Sequence, residues 1–198
     1  MDDKVRSVLD FYHARMRDGF GPDDVDPRDR MLLPVGEDAG QFINILAKSL
    51  AAPTILEIGT SYGYSGIWLG EAARATGGRL ITLELQDYKA AYARDMAWQA
   101  GLSDHVEFQV GDALTLIDQL PTGVDFVLLD LWKQLYTPCL DAFYPKLNPG
   151  AIIVADNMLY PGGEDVARYG RAVRAKPHMT SVLLPVGQGL EVSRYAPS

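Results

Sequence analysis

The chain has 198 residues and a formal net charge of −8 at pH 7. This length suits one α/β domain with a substantial core, and the acidic balance argues against a nucleic-acid partner, which needs a concentrated basic surface. No apolar run is long enough to cross a bilayer and the charged N-terminus lacks the apolar core of a signal peptide, so we expect a cytoplasmic protein without a membrane partner.

Two helices are predicted before the first strand. Apolar residues recur at helical spacing from Lys4 to Arg17, and a second helix is predicted from Gly36 to Leu50. The link between them, DGFGPDDVDPRDR, is too rich in Asp and Pro for regular structure. We expect residues 1–198 to form a single domain, in which residues 1–50 cap the substrate side and residues 54–198 form the core.

From Thr54 onward, apolar runs alternate with helical segments, which predicts β-α-β units and a parallel sheet. The predicted strands are TILEI, RLITLEL, VEFQVG, VDFVLLD, AIIVAD, TSVLLPV and LEVSRY. The predicted helices between them lie near residues 65–75, 88–100, 112–119, 134–146 and 164–175. Only Gly187, Gln188 and Gly189 separate the last two strands, so these strands should form an antiparallel hairpin at one edge.

The segment LEIGTSYGYS, which leads from the first strand into a helix, is typical of a loop that binds a nucleotide-type cofactor. Gly59 and Gly63 remove side chains where the backbone must turn and a ligand comes close. Ser65 stands at the start of the helix, where its hydroxyl would meet a carboxylate group of the ligand. The spacing E-x-G-x-x-x-G differs from the dinucleotide pattern G-x-G-x-x-G, which disfavours a dehydrogenase.

Acidic residues lie at the ends of the first three strands. Glu84 closes the second strand, where it would accept hydrogen bonds from two ribose hydroxyls, and Asp112 with Ala113 follows the third, beside the expected adenine ring. Taken singly, each acidic residue is also explained as a solvated strand end, and the glycines as a tight turn. The joint placement of Glu57, Glu84 and Asp112 favours a cofactor site.

Two further acidic groups lie about one β-α-β repeat apart. Asp130 closes the apolar run VDFVLLD, and Asp156 with Asn157 closes the run AIIVADN. Because the carboxyl ends of adjacent parallel strands share one edge of a sheet, these side chains should converge on one point. Their oxygens suit a hard divalent cation such as Mg²⁺. For each residue alone, a helix cap or a turn remains an open alternative.

The chain resembles the class I S-adenosylmethionine-dependent methyltransferases, and within them the cation-dependent catechol and caffeoyl-CoA O-methyltransferases. The segments that carry the resemblance are LLPVGEDAGQFI, LEIGTSYGYSG, ITLE, VGDA, LLDLWKQLY, VADNMLYPGG and QGLEVSRY. The resemblance implies a Rossmann-like α/β fold, with helices on both faces of a seven-stranded, mostly parallel sheet in the order 3-2-1-4-5-7-6. It also implies transfer of a methyl group to a hydroxyl of a small catechol-like aromatic, and a homodimer is a further expectation.

The resemblance assigns roles to individual residues. It makes Asp130, Asp156 and Asn157 the metal ligands, Lys133 the general base and Glu191 a contact of a substrate hydroxyl. The residues that would bind S-adenosylmethionine are Val35, Glu57, Gly59, Tyr64, Ser65, Glu84, Asp112, Ala113 and Asp130. A phenol has a pKa of about 10, so chelation of two vicinal oxygens by Mg²⁺ would stabilise its anion, and Lys133 would accept the proton.

Several residues around the expected substrate mouth depart from the family pattern. Met31, Leu33 and Val35 would form an aliphatic rim where catechol enzymes commonly carry Trp and Met, and Leu131 replaces a frequent His. These departures predict a more apolar mouth. Two neighbours of the metal ligands have two readings each: Trp132 and Met158 either wall an aromatic ring or pack in the core.

Two other functions stay open at the level of sequence. A methyltransferase that needs no metal would act on an N- or other acceptor, and a chelator would leave its activity unchanged. A non-catalytic S-adenosylmethionine-binding protein would bind the cofactor without turnover on any catechol.

Overall fold

The computed structural model describes residues 1–18 and 34–197. Met31, Leu33 and most of the Asp- and Pro-rich link lie outside these residues. The α-helices of the described part are α1 (Asp3–Asp18), α2 (Glu37–Lys48), α3 (Tyr64–Thr76), α4 (Asp87–Gln99), α5 (Ala113–Gln119), α6 (Tyr136–Phe143) and α7 (Glu164–Ala175). The strands are β1 (Thr54–Ile58), β2 (Arg79–Glu84), β3 (Val106–Val110), β4 (Val124–Leu129), β5 (Leu147–Ala155), β6 (Met179–Leu184) and β7 (Leu190–Tyr195).

The strands form one seven-stranded sheet in the order β3-β2-β1-β4-β5-β7-β6. Strands β1 to β5 pair in parallel, and β7 pairs antiparallel with both β5 and β6. The predicted strand order and the predicted antiparallel hairpin are therefore confirmed. Among the described residues, no helix is long and apolar enough to cross a membrane.

Helices cover both faces of the sheet. Side chains alternate between the two faces along each strand, so the apolar residues of the central strands pack against helices on both sides. On β1, Ile55 packs into a core with residues of α1, α2, α3 and α4, whereas Leu56 packs into the opposite core with residues of α5, α6 and α7. Phe126 and Val127 repeat this alternation on β4. Both strands carry buried apolar side chains on both faces, as is typical of a central parallel strand, and full burial of each such side chain contributes about 1.5–3 kcal/mol.

The predicted helical segment over residues 134–146 is confirmed, and the structure divides it into three short helices. Residues Lys133–Leu135 and Tyr144–Lys146 form 3₁₀ helices, and only Tyr136–Phe143 is α-helical. Pro145 explains the end of the α-helix, because a proline ring lacks the N–H that the next turn requires and collides with the preceding turn. The following strand begins at Leu147, earlier than predicted, with Gly150 at a φ of 90°.

The register of the sheet brings three strand ends to one level. Ile58 of β1 pairs with Leu129 of β4, and Leu129 pairs with Ala155 of β5. Gly59, Asp130 and Asp156 each follow these residues directly. The cofactor loop and both acidic groups predicted from the sequence therefore begin side by side on one edge of the sheet.

Candidate functional site

Lys133 lies at the centre of a hydrogen-bonded cluster on this edge. Its Nζ donates to Oδ1 of Asn157 at 2.5 Å, to the hydroxyl of Tyr136 at 2.7 Å and to Oδ1 of Asp130 at 3.2 Å. The Tyr136 hydroxyl in turn donates to the backbone carbonyl of Asp156 at 3.0 Å. The structure thus brings the predicted general base together with the three predicted metal ligands.

Asp156 is a buried carboxylate without a hydrogen-bond partner. Its side chain is 1% exposed, and neither carboxylate oxygen has a partner among the described residues. Burial, reinforced by the negative charge of Asp130, raises the pKa of Asp156 to about 7; the charge of Lys133 and the nearby backbone N–H of Asn157, which does not complete a hydrogen bond, lower it. Leaving such a group without a partner is costly, and a bound cation would offset that cost.

Asp130 has a similar but better partnered environment. Burial raises the pKa of its carboxyl group, and the charge and hydrogen bond of Lys133 act against that rise. Together, Asp130, Asp156 and Asn157 offer two carboxylates and one amide oxygen, a donor set that fits a hard divalent cation. Within the described ranges, no group of three or more His, Cys, Asp or Glu residues is placed to hold a metal. The set reaches three donors only because Asn157 contributes.

Sequence reasoning missed two residues of this cluster. Tyr136 is fully buried and contacts both Lys133 and Asp156, and its position three residues after Lys133 was the available signal. Gln188, whose side-chain oxygen accepts a hydrogen bond from Nδ2 of Asn157, was interpreted only as part of a turn. A contact across 31 residues of chain leaves no local pattern in the sequence.

The glycines of the cofactor loop are required by internal packing. A Cβ atom on Gly59 would lie 2.0 Å from the backbone oxygen of Asp130, and one on Gly63 would lie 2.7 Å from Cβ of Ala93. Both glycines also have positive φ angles, 106° and 91°, which side chains disfavour. The backbone N–H groups of Gly59 and Thr60 both donate to the carbonyl of Leu83 at 3.0 Å. The loop is therefore held against its two neighbouring strands.

Glu84 closes this loop from the end of β2. Its Oε2 accepts a hydrogen bond from the backbone N–H of Ser61 at 2.7 Å, and its Oε1 accepts one from the backbone N–H of Gln86 at 3.0 Å. The carboxylate is thus oriented by two main-chain donors and is more than a solvated strand end. Its predicted contact with ribose hydroxyls stays a prediction.

Glu57 is buried beneath the same loop. Thr82 donates its hydroxyl to Oε2 of Glu57 at 2.5 Å, while Oε1 has no hydrogen-bond partner in the part of the chain that the structure describes. Burial raises the pKa of Glu57 to about 7, although the hydroxyls of Ser65 and Thr82 act in the opposite direction. Glu57 and Ser65, both predicted to bind the cofactor, therefore lie close together.

The other predicted cofactor residues are spread along the sheet edge. Asp112 caps α5, because its Oδ1 accepts hydrogen bonds from the backbone N–H of Thr115 at 2.9 Å and from the Thr115 hydroxyl at 3.0 Å. The hydrogen bond from the backbone N–H is the main cause of the lowered pKa of Asp112. Ala113 follows it as the first residue of α5. Tyr64 is buried with its hydroxyl 2.9 Å from Nε2 of His13, and Val35 is buried in the core beside α2.

The structure does not bring Glu191 to the Lys133 cluster by any direct contact. Glu191 is fully buried, and its Oε2 forms an ion pair with Nη2 of Arg174 at 2.6 Å. Its Oε1 accepts a hydrogen bond from the hydroxyl of Ser181. Both carboxylate oxygens are thus engaged between α7 and β6, and the contact with a substrate hydroxyl that the resemblance implies stays a prediction.

Three large apolar side chains next to the cluster are exposed. Trp132 and Tyr160 are each 72% exposed, and Leu159 is 52% exposed. Met158, by contrast, is 9% exposed and belongs to the core beside α6 and α7. The structure therefore decides between the two readings of these neighbours: Met158 packs in the core, and Trp132 does not.

A family model described as O-methyltransferase matches residues 26–195. This chain belongs to the O-methyltransferase family. The catechol O-methyltransferase of Niastella koreensis is 36% identical over 134 residues, a match that covers 66% of this chain but only 60% of that relative.

Solved structures of O-methyltransferases share this fold. The O-methyltransferase TomG from Streptomyces achromogenes, involved in tomaymycin synthesis and solved in complex with SAM, superposes with a TM-score of 0.81 at 25% identity, and the match covers 100% of this chain and 91% of that one. The O-methyltransferase from Bacillus cereus, solved in complex with SAH, gives a TM-score of 0.75 at 26% identity, with 98% and 91% covered. The resemblance inferred from sequence motifs is confirmed at the level of family and fold.

Proposed function

We propose that this protein is a divalent-cation-dependent O-methyltransferase that moves a methyl group from S-adenosylmethionine to a hydroxyl group of a small catechol-like aromatic. One observation carries the proposal: the buried carboxylate of Asp156, without a partner among the described residues, lies beside Asp130, Asn157 and Lys133 at adjacent strand ends. Membership of the O-methyltransferase family supports the methyl-transfer part.

Asp130, Asp156 and Asn157 are the proposed ligands of the cation. Negative charge on the two carboxylates is disfavoured by burial, as the raised pKa of each carboxyl group indicates. A divalent cation, when bound, supplies the positive charge that favours the anionic form of a chelating hydroxyl group. Mg²⁺ is the proposed ion because the donors are all oxygen.

Lys133 is the proposed general base. Its Nζ is held between Asp130, Asn157 and the hydroxyl of Tyr136, which places the amine at the metal cluster and restricts where it can move. To act as a base, the amine must first lose its own proton. Nζ then takes the proton of the substrate hydroxyl, and Tyr136 holds the amine in place through a hydrogen bond.

The edge of the sheet that carries β1, β2 and β3 is the proposed site of S-adenosylmethionine. Glu84 has its carboxylate oriented by the backbone of Ser61 and Gln86, and Asp112 stands at the next strand end. The solved relatives in complex with SAM or SAH support this cofactor. S-adenosylmethionine supplies a methyl group on a sulfonium centre, and the task of the chain is to align the acceptor oxygen with it.

The exposed side chains of Trp132, Leu159 and Tyr160 support an aromatic substrate. Each lies within three residues of a proposed metal ligand along the chain, so each side chain starts near the strand ends where the acceptor would bind. The name of the relative, catechol O-methyltransferase, agrees with this class. We further propose a cytoplasmic enzyme for small molecules rather than nucleic acids; a homodimer stays a prediction.

The test is methyl transfer from labelled S-adenosylmethionine to a panel of catechols and matched monophenols. Each reaction is run with Mg²⁺ and with EDTA, for the wild type, for Asp156→Ala and for the control Asp104→Asn at an exposed site. We expect O-methylated catechols that form only with Mg²⁺, at normal rates in the control and at least about 100-fold more slowly in Asp156→Ala.

Each alternative function has a distinct outcome in the same experiment. Product formation that EDTA leaves unchanged would replace the proposal with a metal-independent methyltransferase. Tight binding of S-adenosylmethionine without turnover on any acceptor would favour a non-catalytic binding protein. Methylation of monophenols at the same rate as catechols would remove the requirement for two vicinal oxygens.

A further inference from the structure

The contact with Lys133 identifies which side-chain atom of Asn157 is the oxygen. In its ammonium form Lys133 has donors only, so the atom of Asn157 that lies 2.5 Å from its Nζ is the carbonyl oxygen Oδ1. The amide nitrogen Nδ2 therefore points the other way. An amide turned through 180° would present two donors to the ammonium group and would offer no oxygen to the carboxylate cluster.

Gln188 meets the opposite edge of this amide. Its Oε1 accepts a hydrogen bond from Nδ2 of Asn157. Lys133 contacts the oxygen of the amide, so its nitrogen is the atom that can donate to an acceptor. Gln188 lies in the turn between β6 and β7, where Gly187 and Gly189 have φ angles of 55° and 94°. A side chain from the antiparallel hairpin thus reaches the end of the parallel part of the sheet.

Backbone hydrogen bonds hold this turn against the loop that follows Asn157. The N–H groups of Leu159 and Tyr160 both donate to the carbonyl of Gln188 at 3.0 Å, and that of Met158 donates to the carbonyl of Gly189 at 3.0 Å. These bonds belong to the main chain, so a substitution of the Gln188 side chain leaves them in place. The side-chain contact with Asn157 can be tested without dismantling the turn.

We propose that Gln188 is a positioning residue, whose side-chain oxygen holds the Asn157 amide with Oδ1 turned toward Lys133 and the two carboxylates. Asn157 has a positive φ of 56°, so its backbone adopts the left-handed conformation. Rotation of its side-chain amide is the remaining degree of freedom, and the hydrogen bond to Gln188 restricts that rotation. The functional meaning of this contact rests on the proposed metal site, because a ligand oxygen must face the cation. Residues that orient metal ligands typically change metal affinity about 10- to 100-fold when they are removed.

The test compares the wild type with Gln188→Met, which keeps the shape but loses the acceptor, and with Gln188→Glu, which keeps an acceptor oxygen. Gln99→Met is the matched control, because Gln99 makes an exposed hydrogen bond with Asp95 within α4. Two quantities are measured on each full-length protein: the Kd of Mn²⁺ alone, and the solvent exchange of the Asn157 side-chain amide protons by NMR.

We expect Gln188→Met to weaken Mn²⁺ binding about 10-fold and to speed the exchange of the Asn157 amide protons. Gln188→Glu should keep those protons protected, and Gln99→Met should match the wild type in both measurements. Unchanged exchange at Asn157 in Gln188→Met would overturn the role of Gln188, whatever the Kd. A wild type that binds no Mn²⁺ would overturn the metal site instead, and the amide exchange would still decide the positioning role.

Discussion

The backbone oxygen of Asp130 lies 2.0 Å from the position that a Cβ atom would take on Gly59. The backbone N–H of Asp130 also donates to the carbonyl of Ile58 at 3.0 Å. The loop after β1 and the end of β4 are thus in direct main-chain contact. The proposed cofactor loop and the proposed metal cluster are therefore joined by main-chain contacts.

The substitution Gly59→Ala should destabilise the protein by about 3 kcal/mol or more, because the backbone of residue 130 has to move in addition to the strain of a positive φ. Gly77→Ala is the control. Gly77 also has a positive φ, 73°, but a Cβ there meets nothing within 4 Å, so its cost should be only about 1 kcal/mol. Urea unfolding of both variants measures the difference, and equal costs would show that the contact with Asp130 relaxes freely.

Trp132→Ala should weaken the binding of an aromatic acceptor with little effect on stability. Its indole is 72% exposed and therefore contributes little to the core, while loss of one aromatic contact raises KM about fivefold. The matched control is Trp98→Ala on α4, where the side chain is 70% exposed. Steady-state kinetics on the best catechol of the panel would contradict this role if the two variants gave the same KM as the wild type.

Glu57→Gln should change how stability depends on pH. The pKa of Glu57 rises from 4.5 to about 7 on folding, so the folded state binds a proton that the unfolded state has lost between these two values. The bound proton stabilises the folded state by up to about 3 kcal/mol. This stabilisation is fully present below about pH 4.5 and is lost as the pH rises through about 7. Between pH 5 and 8, the free energy of unfolding of the wild type should therefore fall relative to that of Glu57→Gln; parallel curves would argue against the shift.

Arg174→Met should cost about 2 kcal/mol of stability, because it leaves the buried carboxylate of Glu191 without its ion partner. Arg171→Met on the same helix breaks an exposed ion pair with Glu164 and should cost less than about 0.5 kcal/mol. Thermal unfolding of both variants tests the contrast.

The same ion pair offers a test of the role that the resemblance implies for Glu191. If its carboxylate serves α7 and β6, as its contacts with Arg174 and Ser181 indicate, Glu191→Gln should lower stability and leave kcat/KM within about threefold of the wild type. A large loss of kcat/KM in Glu191→Gln, without a similar loss in Arg174→Met, would instead support a contact with substrate.

Most of the fold followed from local rules. Apolar runs of strand length between helical segments predicted the parallel part of the sheet, and the three-residue turn at Gly187 predicted the hairpin. The convergence of Asp130 and Asp156 was predictable because adjacent parallel strands end on one edge. Lys133 came from the resemblance, and it forms hydrogen bonds with two of the proposed ligands, Asp130 and Asn157.

What the sequence did not predict depends on register and on contacts between distant segments. Glu191 and Leu190 lie on opposite faces of β7, and only the pairing of Glu191 with Ala155 decides which face receives the carboxylate. Gln188 reaches Asn157 from another supersecondary unit. Gly59 was expected for the approach of a ligand, whereas the close neighbour in the structure is the backbone of Asp130.

The most direct test of the central claim is the initial rate of methyl transfer to a catechol as a function of free Mg²⁺, after bound metal has been removed with a chelator. We predict that the wild-type rate rises from background to a saturating value, and that Asp156→Ala stays at background over the same range of Mg²⁺. A full rate in the presence of chelator, or a response of Asp156→Ala equal to that of the wild type, would contradict a catalytic cation at Asp156.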